Sequence, residues 1–462
     1  MSRFVRASKF RHVYGTGTKK EQCFDNVKPS RNAWDTNLIK ANGLYVAVCW
    51  EAGGGGAFAV LNQKEDTGKL PAQPNLFQAH KAPVLDIDFH PFNDYVIASA
   101  SEDCKVMIWN IPEKIDAPQE TPAAILGGHS RKVGNIQFHP TADNTLVSAG
   151  GDLAMKVWDI EKGVQKVELL GHTDLVNSMS FNYNGSLIAT SCRDKKARVF
   201  DIRAGKVVQE ADGHQGIKGS RIVWLGDTNR IASTGFSKTS DRQMYIRDVS
   251  AFDTLLVQEN LDTSAGMLMP FYDPDCKMLY LGGKGDANIR YYEMVDDKPW
   301  QFLLDEYKSQ EPQRGLAFVP KRACDVTQVE VMRCYKLTTS LIEPISFKVP
   351  RKTDVFQEDL FPPAADGKAA LTCDEYFAGK DANPVTVALD KGFVAGVRKD
   401  VNFISADVNA DRKDLENPKN EKELRESWSK LKDENKLLND KLTQKDVQIR
   451  ALEQKLASLQ AK

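Results

Sequence analysis

Histidine, aspartate and a hydroxyl residue recur three times in this chain at nearly constant spacing, each time with a large aromatic residue. The steps from histidine to aspartate are 23, 23 and 22 residues, and each aspartate precedes its aromatic residue by 6. The three sets are His80, Ser99, Asp103 and Trp109; His129, Ser148, Asp152 and Trp158; and His172, Thr190, Asp194 and Phe200. These residue types could form a nucleophilic triad, but no G-x-S-x-G motif, phosphate-binding loop or metal-ligand cluster accompanies them. The spacing therefore favours a repeated structural network over a catalytic centre.

Short β-strands are the elements that must position these sets. The first histidines are 49 and then 43 residues apart, which fits one four-stranded propeller blade per repeat. Alternating apolar residues in 84–89 and the apolar run 187–190 are bounded by turn residues, as in antiparallel strands. In such a blade the indole, hydroxyl, imidazole and carboxylate hydrogen-bond in series. Because buried polar groups must be paired, we interpret the three sets as networks that fix blade geometry.

Further units extend the repeat in both directions. A degraded fourth unit begins at His214, with Ser237 at the aspartate position, and a fifth contains Asp286 and Tyr292, again 6 residues apart. Strand-like runs in 45–61 and 315–337 supply one blade on each side. The sequence therefore predicts an all-β, seven-bladed WD-repeat β-propeller over residues 1–390, including a C-terminal extension packed on it. A closed ring of this kind leaves no exposed sheet edge.

The bulk composition is typical of a soluble protein, with 41% hydrophobic residues and a formal net charge of -1. No apolar run reaches the about 18 residues that a membrane span needs, and the N-terminus lacks the apolar core of a signal peptide. The eight cysteines include no C-x-x-C pair and no Cys/His metal spacing. We expect a cytoplasmic protein with reduced thiols, without a metal, a cofactor or a membrane span.

The first 40 residues are basic, with nine Lys and Arg against three Asp and Glu. A local basic surface can steer an acidic partner towards its site, although a charge run is also typical of an ordinary solvated surface. No basic helix or aromatic-stacking motif accompanies the charge, so we do not expect nucleic-acid binding. The candidates for contact with an acidic partner are Arg6, Lys9, Lys19, Lys20, Lys28 and Arg31.

A different pattern begins after residues 391–419, which are polar and predicted to be a linker. Apolar residues in 420–462 alternate steps of 4 and 3, which predicts an α-helical coiled coil for oligomerisation. Its seam contains Leu424, Trp428, Leu431, Asn435, Leu438, Leu442, Ile449, Leu452, Leu456 and Leu459. Asn435 at a core position favours a parallel dimer. The alternative is a single helix packed on the ring, for which the apolar stripe is narrow.

Longer strings along nearly the whole chain resemble the coronin family of actin-binding proteins. The resemblance rests on seven strings: Ser8–Val13, Glu51–Phe58, Ser101–Cys104, Ser191–Lys195, Gly235–Lys238, Gly283–Tyr292 and Pro350–Leu360. A generic WD-repeat scaffold would share the polar sets but not these strings. The short linker before the heptads is similar to that of single-propeller coronins.

The resemblance implies binding and bundling of F-actin, with the coil joining two or more rings. It also implies modulation of the actin-related-protein branching complex through the coil, cooperation with cofilin, and a location in the cytoplasm, the actin cytoskeleton and the cell cortex. Lys28 follows Gln22–Val27, where family members often have arginine; lysine keeps the charge but loses the bidentate fork. Further charged candidates on the family strings are Lys284, Asp286, Arg351 and Lys352. Asp286 also occupies the aspartate position of a repeat, which favours a structural role.

Several alternatives remain open at this stage. The coil lacks the Arg-apolar-x-x-apolar-Glu string typical of trimeric coronin coils, so a dimer is favoured and a trimer is possible. The main functional alternative is a WD-repeat adaptor in trafficking or ubiquitin-ligase assembly without direct actin binding. An enzyme is a third class, which the missing catalytic motifs argue against.

Overall fold

The computed structural model describes residues 6–32, 34–352, 355–396, 398, 401–407 and 428. The chain divides into two units, Met1–Ala406 and Asp407–Lys462. In the second unit only residues 407 and 428 are described. The predicted coiled coil at 420–462 and its seam, apart from the exposed Trp428, therefore lie outside the described residues.

The described residues form short strands in chain order. The first eleven are β1 Tyr14–Gly17, β2 Phe24–Asp25, β3 Ile39–Ala41, β4 Tyr45–Trp50, β5 Gly56–Asn62, β6 Gly68–Lys69, β7 Phe77–His80, β8 Val84–Phe89, β9 Val96–Ser101, β10 Lys105–Asn110 and β11 Ala124–Gly127. The next twelve are β12 Val133–Phe138, β13 Thr145–Gly150, β14 Met155–Asp159, β15 Val164–Leu169, β16 Val176–Phe181, β17 Leu187–Cys192, β18 Lys196–Asp201, β19 Lys206–Asp212, β20 Arg221–Trp224, β21 Arg230–Phe236, β22 Arg242–Asp248 and β23 Leu255–Asp262. The last ten are β24 Leu268–Asp273, β25 Met278–Gly283, β26 Asn288–Met294, β27 Gln301–Lys308, β28 Gly315–Phe318, β29 Glu330–Leu337, β30 Leu341–Lys348, β31 Ala364–Ala365, β32 Thr386–Val387 and β33 Ala406–Asp407.

These strands build seven blades of mainly antiparallel strands, with a short parallel pair of β2 and β6 in blade 7, which confirms the predicted seven-bladed β-propeller. Blade 1 is β3-β4-β5-β7, blade 2 is β8 to β11 with β33 added to β11, and blades 3 to 6 are β12–β15, β16–β19, β20–β23 and β24–β27. Blade 7 combines β28, β29 and β30 with the N-terminal strands β1 and β2 and the short β6. Because β1 and β2 pair with β30, the two ends of the ring are joined in one sheet.

Burial follows the position of a strand in its blade. All six residues of β9, a middle strand, are buried, because the blade packs against a neighbour on both faces. Residues of β19, an outermost strand, alternate between exposed and partly buried, as expected for a strand with one solvated face. This difference explains why middle strands read as apolar runs in the sequence.

Polar side chains join neighbouring blades around the central channel, where backbone ladders do not cross from blade to blade. Asp86 on β8 accepts a hydrogen bond from the Ile136 amide of blade 3 at 3.0 Å. Ser180 on β16 accepts one from the Trp224 amide of blade 5 at 2.9 Å. Backbone donors at the channel wall are thereby paired, as buried amides must be.

A C-terminal extension packs on the ring after β30. Its one α-helix among the described residues is Cys373–Phe377, which begins with a capping box at Thr372. The Tyr376 hydroxyl donates to the Gly185 carbonyl at 3.0 Å. Phe403 and Ala406 are buried in the core between blades 2 and 3. Residues 401–406 of the predicted 391–419 linker thus belong to the same compact unit as the ring, and 408–419 lie outside the described residues.

Candidate functional site

The first polar set is a continuous hydrogen-bond series between blades 1 and 2. The His80 ring at the end of β7 contacts Asp103 Oδ2 at 2.9 Å and Ser99 Oγ at 2.8 Å. The Trp109 indole N–H donates to the same Ser99 Oγ at 2.9 Å. Burial raises the pKa of Asp103, but the hydrogen bond and charge of His80 together with the Lys81 and Lys105 amides outweigh it, so this pKa lies below its ordinary value. The histidine therefore comes from one blade and the other three residues from the next.

The second set repeats this arrangement between blades 2 and 3. His129 contacts Asp152 at 3.0 Å and Ser148 Oγ at 2.7 Å. The Trp158 indole donates to Ser148 Oγ at 2.8 Å. Ser148 is fully buried, and its hydroxyl has both His129 and Trp158 as hydrogen-bond partners. Its hydroxyl is thus engaged in the network and not presented to a substrate.

The third set departs from the expected series. His172 Nε2 contacts Thr190 Oγ1 at 3.0 Å, but its Nδ1 is buried without a hydrogen-bond partner among the described residues. Asp194 pairs instead with Arg198 at 2.8 Å. Phe200 has no N–H to donate, and its ring lies 5.0 Å from that of His172. Burial, with repulsion from Arg198, lowers the pKa of His172 to about 4, so this histidine is neutral at physiological pH.

A buried arginine after the degraded fourth unit joins carboxylates of blades 5 and 6. Arg242 on β22 is buried and donates to both Asp262 oxygens at 2.6 and 2.7 Å. It also donates to Asp286 of blade 6 at 2.6 Å, and Arg290 of blade 6 joins Asp262 at 2.6 Å. Asp286, a candidate for actin contact, is therefore held inside a network between blades 5 and 6.

The basic candidates do not form one cluster. One group surrounds the N-terminal segment and the segment after β30: Arg6, Lys9, Arg351 and Lys352. Arg6 pairs with Glu293, and Lys9 donates to the Asp359 carbonyl at 2.8 Å while Arg351 pairs with the Asp359 carboxylate at 2.8 Å. Lys19 and Lys20 lie in the exposed turn after β1, where Lys20 Nζ is 3.9 Å from Asp25.

Lys28, Arg31 and Lys284 form the second group, at one end of the central channel. We call this end the upper face; the turns that carry His80, His129 and Lys284 all emerge there. Lys28 and Arg31 are exposed. The Lys28 ammonium lies 3.3 Å from the Ala72 carbonyl, and the Arg31 amide donates to Glu51 at 2.7 Å. Two of the basic candidates from the first 40 residues thus share a rim with Lys284.

The chain after Lys28 crosses the mouth of the channel. We call residues 30–32 and 34–36 the mouth segment. It contacts blades 1, 2, 3, 5 and 6 and the connection into blade 7, through Cys49, Glu51, Glu102, Gly134, Arg221, Lys284 and Arg314. A short loop segment therefore touches most of the ring at its centre.

Trp34 anchors the mouth segment in blade 3. Its indole N–H donates to the Gly134 carbonyl at 2.8 Å, and the Lys132 ammonium lies 4.4 Å above its ring. A side chain at Gly134 would meet this indole, because a Cβ built there lies 2.2 Å from Trp34 Cζ2. The glycine in β12 thus leaves the space that the indole fills.

Next to Trp34, Asp35 meets two cations. Its carboxylate lies 3.2 Å from Lys284 Nζ, and its backbone carbonyl accepts a hydrogen bond from the Arg221 guanidinium. Burial, with repulsion from Arg221, lowers the pKa of Lys284 to about 8. Arg221 is itself 7% exposed, and burial lowers its pKa as well. The mouth therefore combines buried positive charge with one exposed carboxylate.

Below the mouth, a cavity of roughly 570 Å³ occupies the channel. Its charged lining includes close pairs, such as Lys40 with Asp88 at 2.8 Å and Arg322 with Asp94 at 2.8 Å. Burial raises the pKa of Asp86 in this lining to about 6. In the described part of the chain we find no group of three or more His, Cys, Asp or Glu side chains arranged for a metal. No described helix has the length and apolarity of a membrane span.

Sequence reasoning missed the residues that organise the mouth and the interface between blades 5 and 6. Trp34, Asp35 and Arg221 lie outside the repeated polar sets, so the repeat gave no signal for them. Arg242 begins β22 of the fourth unit, in which Ser237 replaces the expected aspartate. The repeat pattern therefore assigns no role to this arginine. A glycine inside the strand β12 was the one visible hint, since such a glycine often marks a close approach.

Several family models match parts of this chain, and most of them describe WD repeats. Models described as "WD domain, G-beta repeat" match residues 72–110, 120–159 and 163–201. A "type of WD40 repeat" matches 342–384, and a "domain of unknown function (DUF1899)" matches 3–69. The WD-repeat matches fall on the blades that carry the three polar sets and on β30 with the extension.

Among solved structures, the WD40 domain of Toxoplasma gondii coronin is similar to this chain with a TM-score of 0.77 and 30% identity, over 82% of this chain and 97% of that one. A chain of a mitotic checkpoint complex shares the fold alone, with a TM-score of 0.55 and 14% identity, over 76% of this chain and 100% of that one.

Curated relatives extend the similarity to the whole sequence. A coronin-like protein of Schizosaccharomyces pombe is 49% identical over 83% of this chain and one of Saccharomyces cerevisiae 46% identical over 84%; the chain spans 64% and 61% of their lengths. Coronin-A of Dictyostelium discoideum is 48% identical over 453 residues, which is 98% of this chain and 100% of that protein. On this evidence of sequence and of the propeller, the chain belongs to the coronin family.

Proposed function

We propose that this protein binds actin filaments through the upper face of its propeller and thereby regulates filament organisation. Membership of the coronin family and the resemblance of its strings to actin-binding coronins support the proposal. The observation that carries it is the grouping of Lys28, Arg31 and Lys284 at one rim. An exposed basic surface suits an acidic filament, because complementary charge raises the association rate and excludes wrong partners.

The upper face offers more positive charge than these three residues alone. Exposed Lys and Arg side chains lie on several of the turns that emerge there: Lys81, Arg131, Arg193, Lys195, Lys218 and Lys238. Arg6, Lys9 and Arg351 pair with acidic residues or carbonyls elsewhere on the ring. We therefore place the filament contact at the upper face and assign the Arg6 group to the packing of the N-terminal segment.

The predicted coil would convert this contact into cross-linking. Two rings joined by residues 420–462 could engage two filaments, since the second contact in a linked pair is intramolecular and needs little affinity of its own. Modulation of the branching complex through the coil, cooperation with cofilin and a location at the cell cortex are further parts of this proposal. They rest on the family resemblance.

Charge reversal at Lys28 tests the filament contact. Lys28→Asp should weaken cosedimentation with F-actin about fivefold or more, because a favourable contact of about 1 kcal/mol or more becomes a repulsion. The control is Lys64→Asp, since Lys64 is also exposed but lies after β5, at the opposite end of blade 1. Equal binding by wild type and Lys28→Asp at several salt concentrations would remove Lys28 from the contact. Failure of the wild type to sediment with filaments would favour the adaptor alternative.

A further inference from the structure

We propose that Lys284 binds a carboxylate at the mouth of the channel, that the Asp35 side chain occupies this position in the free chain, and that an acidic side chain of the bound filament takes it over. Asp35 then competes with the filament for Lys284 and lowers the affinity of the upper face for actin filaments. The inference rests on the proposed function for the identity of its partner and adds a regulatory residue to that site.

The cations belong to the rigid ring and the carboxylate does not. Arg221 opens the innermost strand of blade 5, and Lys284 follows the second strand of blade 6. The Lys284 side chain is 18% exposed, whereas the Asp35 side chain is 57% exposed and belongs to a loop. A binding group on a strand keeps its position better than one on a loop. In the pair of Lys284 and Asp35, the Asp35 carboxylate is therefore the group that another anion can replace.

The charges at the mouth are incompletely balanced. Arg221 reaches the backbone carbonyl of Asp35, so the carboxylate itself is held by Lys284. Repulsion from Arg221 and Arg314 adds to the effect of burial in lowering the pKa of Lys284. Arg221 also attracts the buried Asp86 carboxylate, whereas Lys284 contacts only the exposed Asp35 carboxylate among the described residues. A better-placed anion is therefore favoured at Lys284, because a buried charge is costly unless it is paired.

Exchange of the carboxylate does not require the mouth segment to leave. Trp34 is held by Gly134 through its own hydrogen bond, and the Thr36 hydroxyl donates to the Leu85 carbonyl on β8. The Asp35 side chain can rotate away while both anchors persist. Because Lys28 precedes the mouth segment and Arg31 lies in it, one filament surface could contact them and Lys284 together.

Removal of the Asp35 charge tests the competition. Full-length Asp35→Asn should cosediment with F-actin about fivefold more tightly than wild type, the size expected for one partly exposed ion pair. Asp174→Asn is the matched control, because Asp174 is a half-exposed carboxylate on another upper turn, 4.0 Å from Arg193. It removes the same charge from the same face and should change the affinity much less.

The role of Lys284 separates competition from a general charge effect. In a Lys284→Met background, Asp35→Asn should have no larger effect than Asp174→Asn, since the site for which Asp35 competes is gone. Lys284→Arg keeps the charge and should retain the response to Asp35→Asn; thermal unfolding of each variant verifies that the ring is folded.

The outcomes distinguish this inference from the function on which it rests. If Lys28→Asp weakens binding but Asp35→Asn and Asp174→Asn have equal effects, filament binding stands and the competition is wrong. An Asp35→Asn effect that is the same with and without Lys284 also overturns it. If wild-type protein does not bind filaments at all, both proposals fail.

Discussion

The Ser148 hydroxyl joins two buried side chains from different strands, because His129 contacts it at 2.7 Å and the Trp158 indole donates to it at 2.8 Å. Removing this one oxygen by Ser148→Ala should lower the free energy of unfolding by about 1–3 kcal/mol, since it leaves buried polar groups unpaired. Urea denaturation measures the change. Ser130→Ala changes an exposed serine directly after His129 and should have little effect; an equally small effect of Ser148→Ala would contradict a structural role for the set.

At the scale of residues, spacing alone located the repeated sets but could not show which would be complete. The first and second sets form the full series that their residue types suggest. In the third, Arg198 competes for Asp194, and a competing cation on a neighbouring strand is invisible to a pattern of histidine, aspartate and aromatic residues. Charge and family strings identify candidates for actin contact but carry no three-dimensional information, so they do not show that these residues lie at several separate places on the ring.

At the scale of elements, the interface between blades 5 and 6 depends on one arginine. Arg242→Met should destabilise the ring by about 3–5 kcal/mol, because removal of one partner from a buried ion pair leaves uncompensated charge. Arg242 serves Asp262 and Asp286, which belong to two blades. The measurement is the midpoint of thermal or urea unfolding. Arg193→Met is the control, since Arg193 is exposed and 4.0 Å from its nearest carboxylate; comparable losses in both variants would contradict this account.

The same network gives a pH dependence with a defined sign. Burial alone would raise the pKa of Asp262, but the hydrogen bonds from Arg242, the Ser264 amide and Arg290, with the charge of Arg242, together outweigh it and lower this pKa to about 2. A carboxylate with a lowered folded-state pKa contributes stability above its unfolded pKa of about 4 and loses it as the pH falls towards the folded value. Wild type should therefore lose stability between about pH 4 and 2 more steeply than Arg242→Met.

The strands themselves were predictable because middle strands are buried on both faces and outer strands alternate. Ring closure was harder to predict from sequence. The strands β1 and β2 are short and poor in apolar residues, and they pair with β30 more than 300 positions away. The mouth segment is also a long-range feature, since Trp34 finds its place at Gly134, 100 residues later. Local patterns carry no information on such pairings.

At the scale of the whole molecule, the proposed function combines a ring that binds filaments with a predicted coil that joins rings. The ring and its C-terminal extension form one compact unit to Ala406, so a chain that ends at residue 407 keeps the described packing of Phe403 and Ala406. The heptads of 420–462 lie outside the described residues and remain a prediction. The proposed filament contact and the predicted oligomerisation segment thus lie in different parts of the chain, which can be separated by truncation.

Sedimentation of F-actin with the full chain and with residues 1–407 tests this division most directly. High-speed sedimentation measures filament binding, and low-speed sedimentation measures bundles. We expect the truncated chain to pellet with filaments at high speed, with lower apparent affinity because the second, intramolecular contact is lost, and to form no low-speed bundles. Bundling by residues 1–407 as efficient as that of the full chain, or no binding of the ring to filaments even at low salt, would contradict the account.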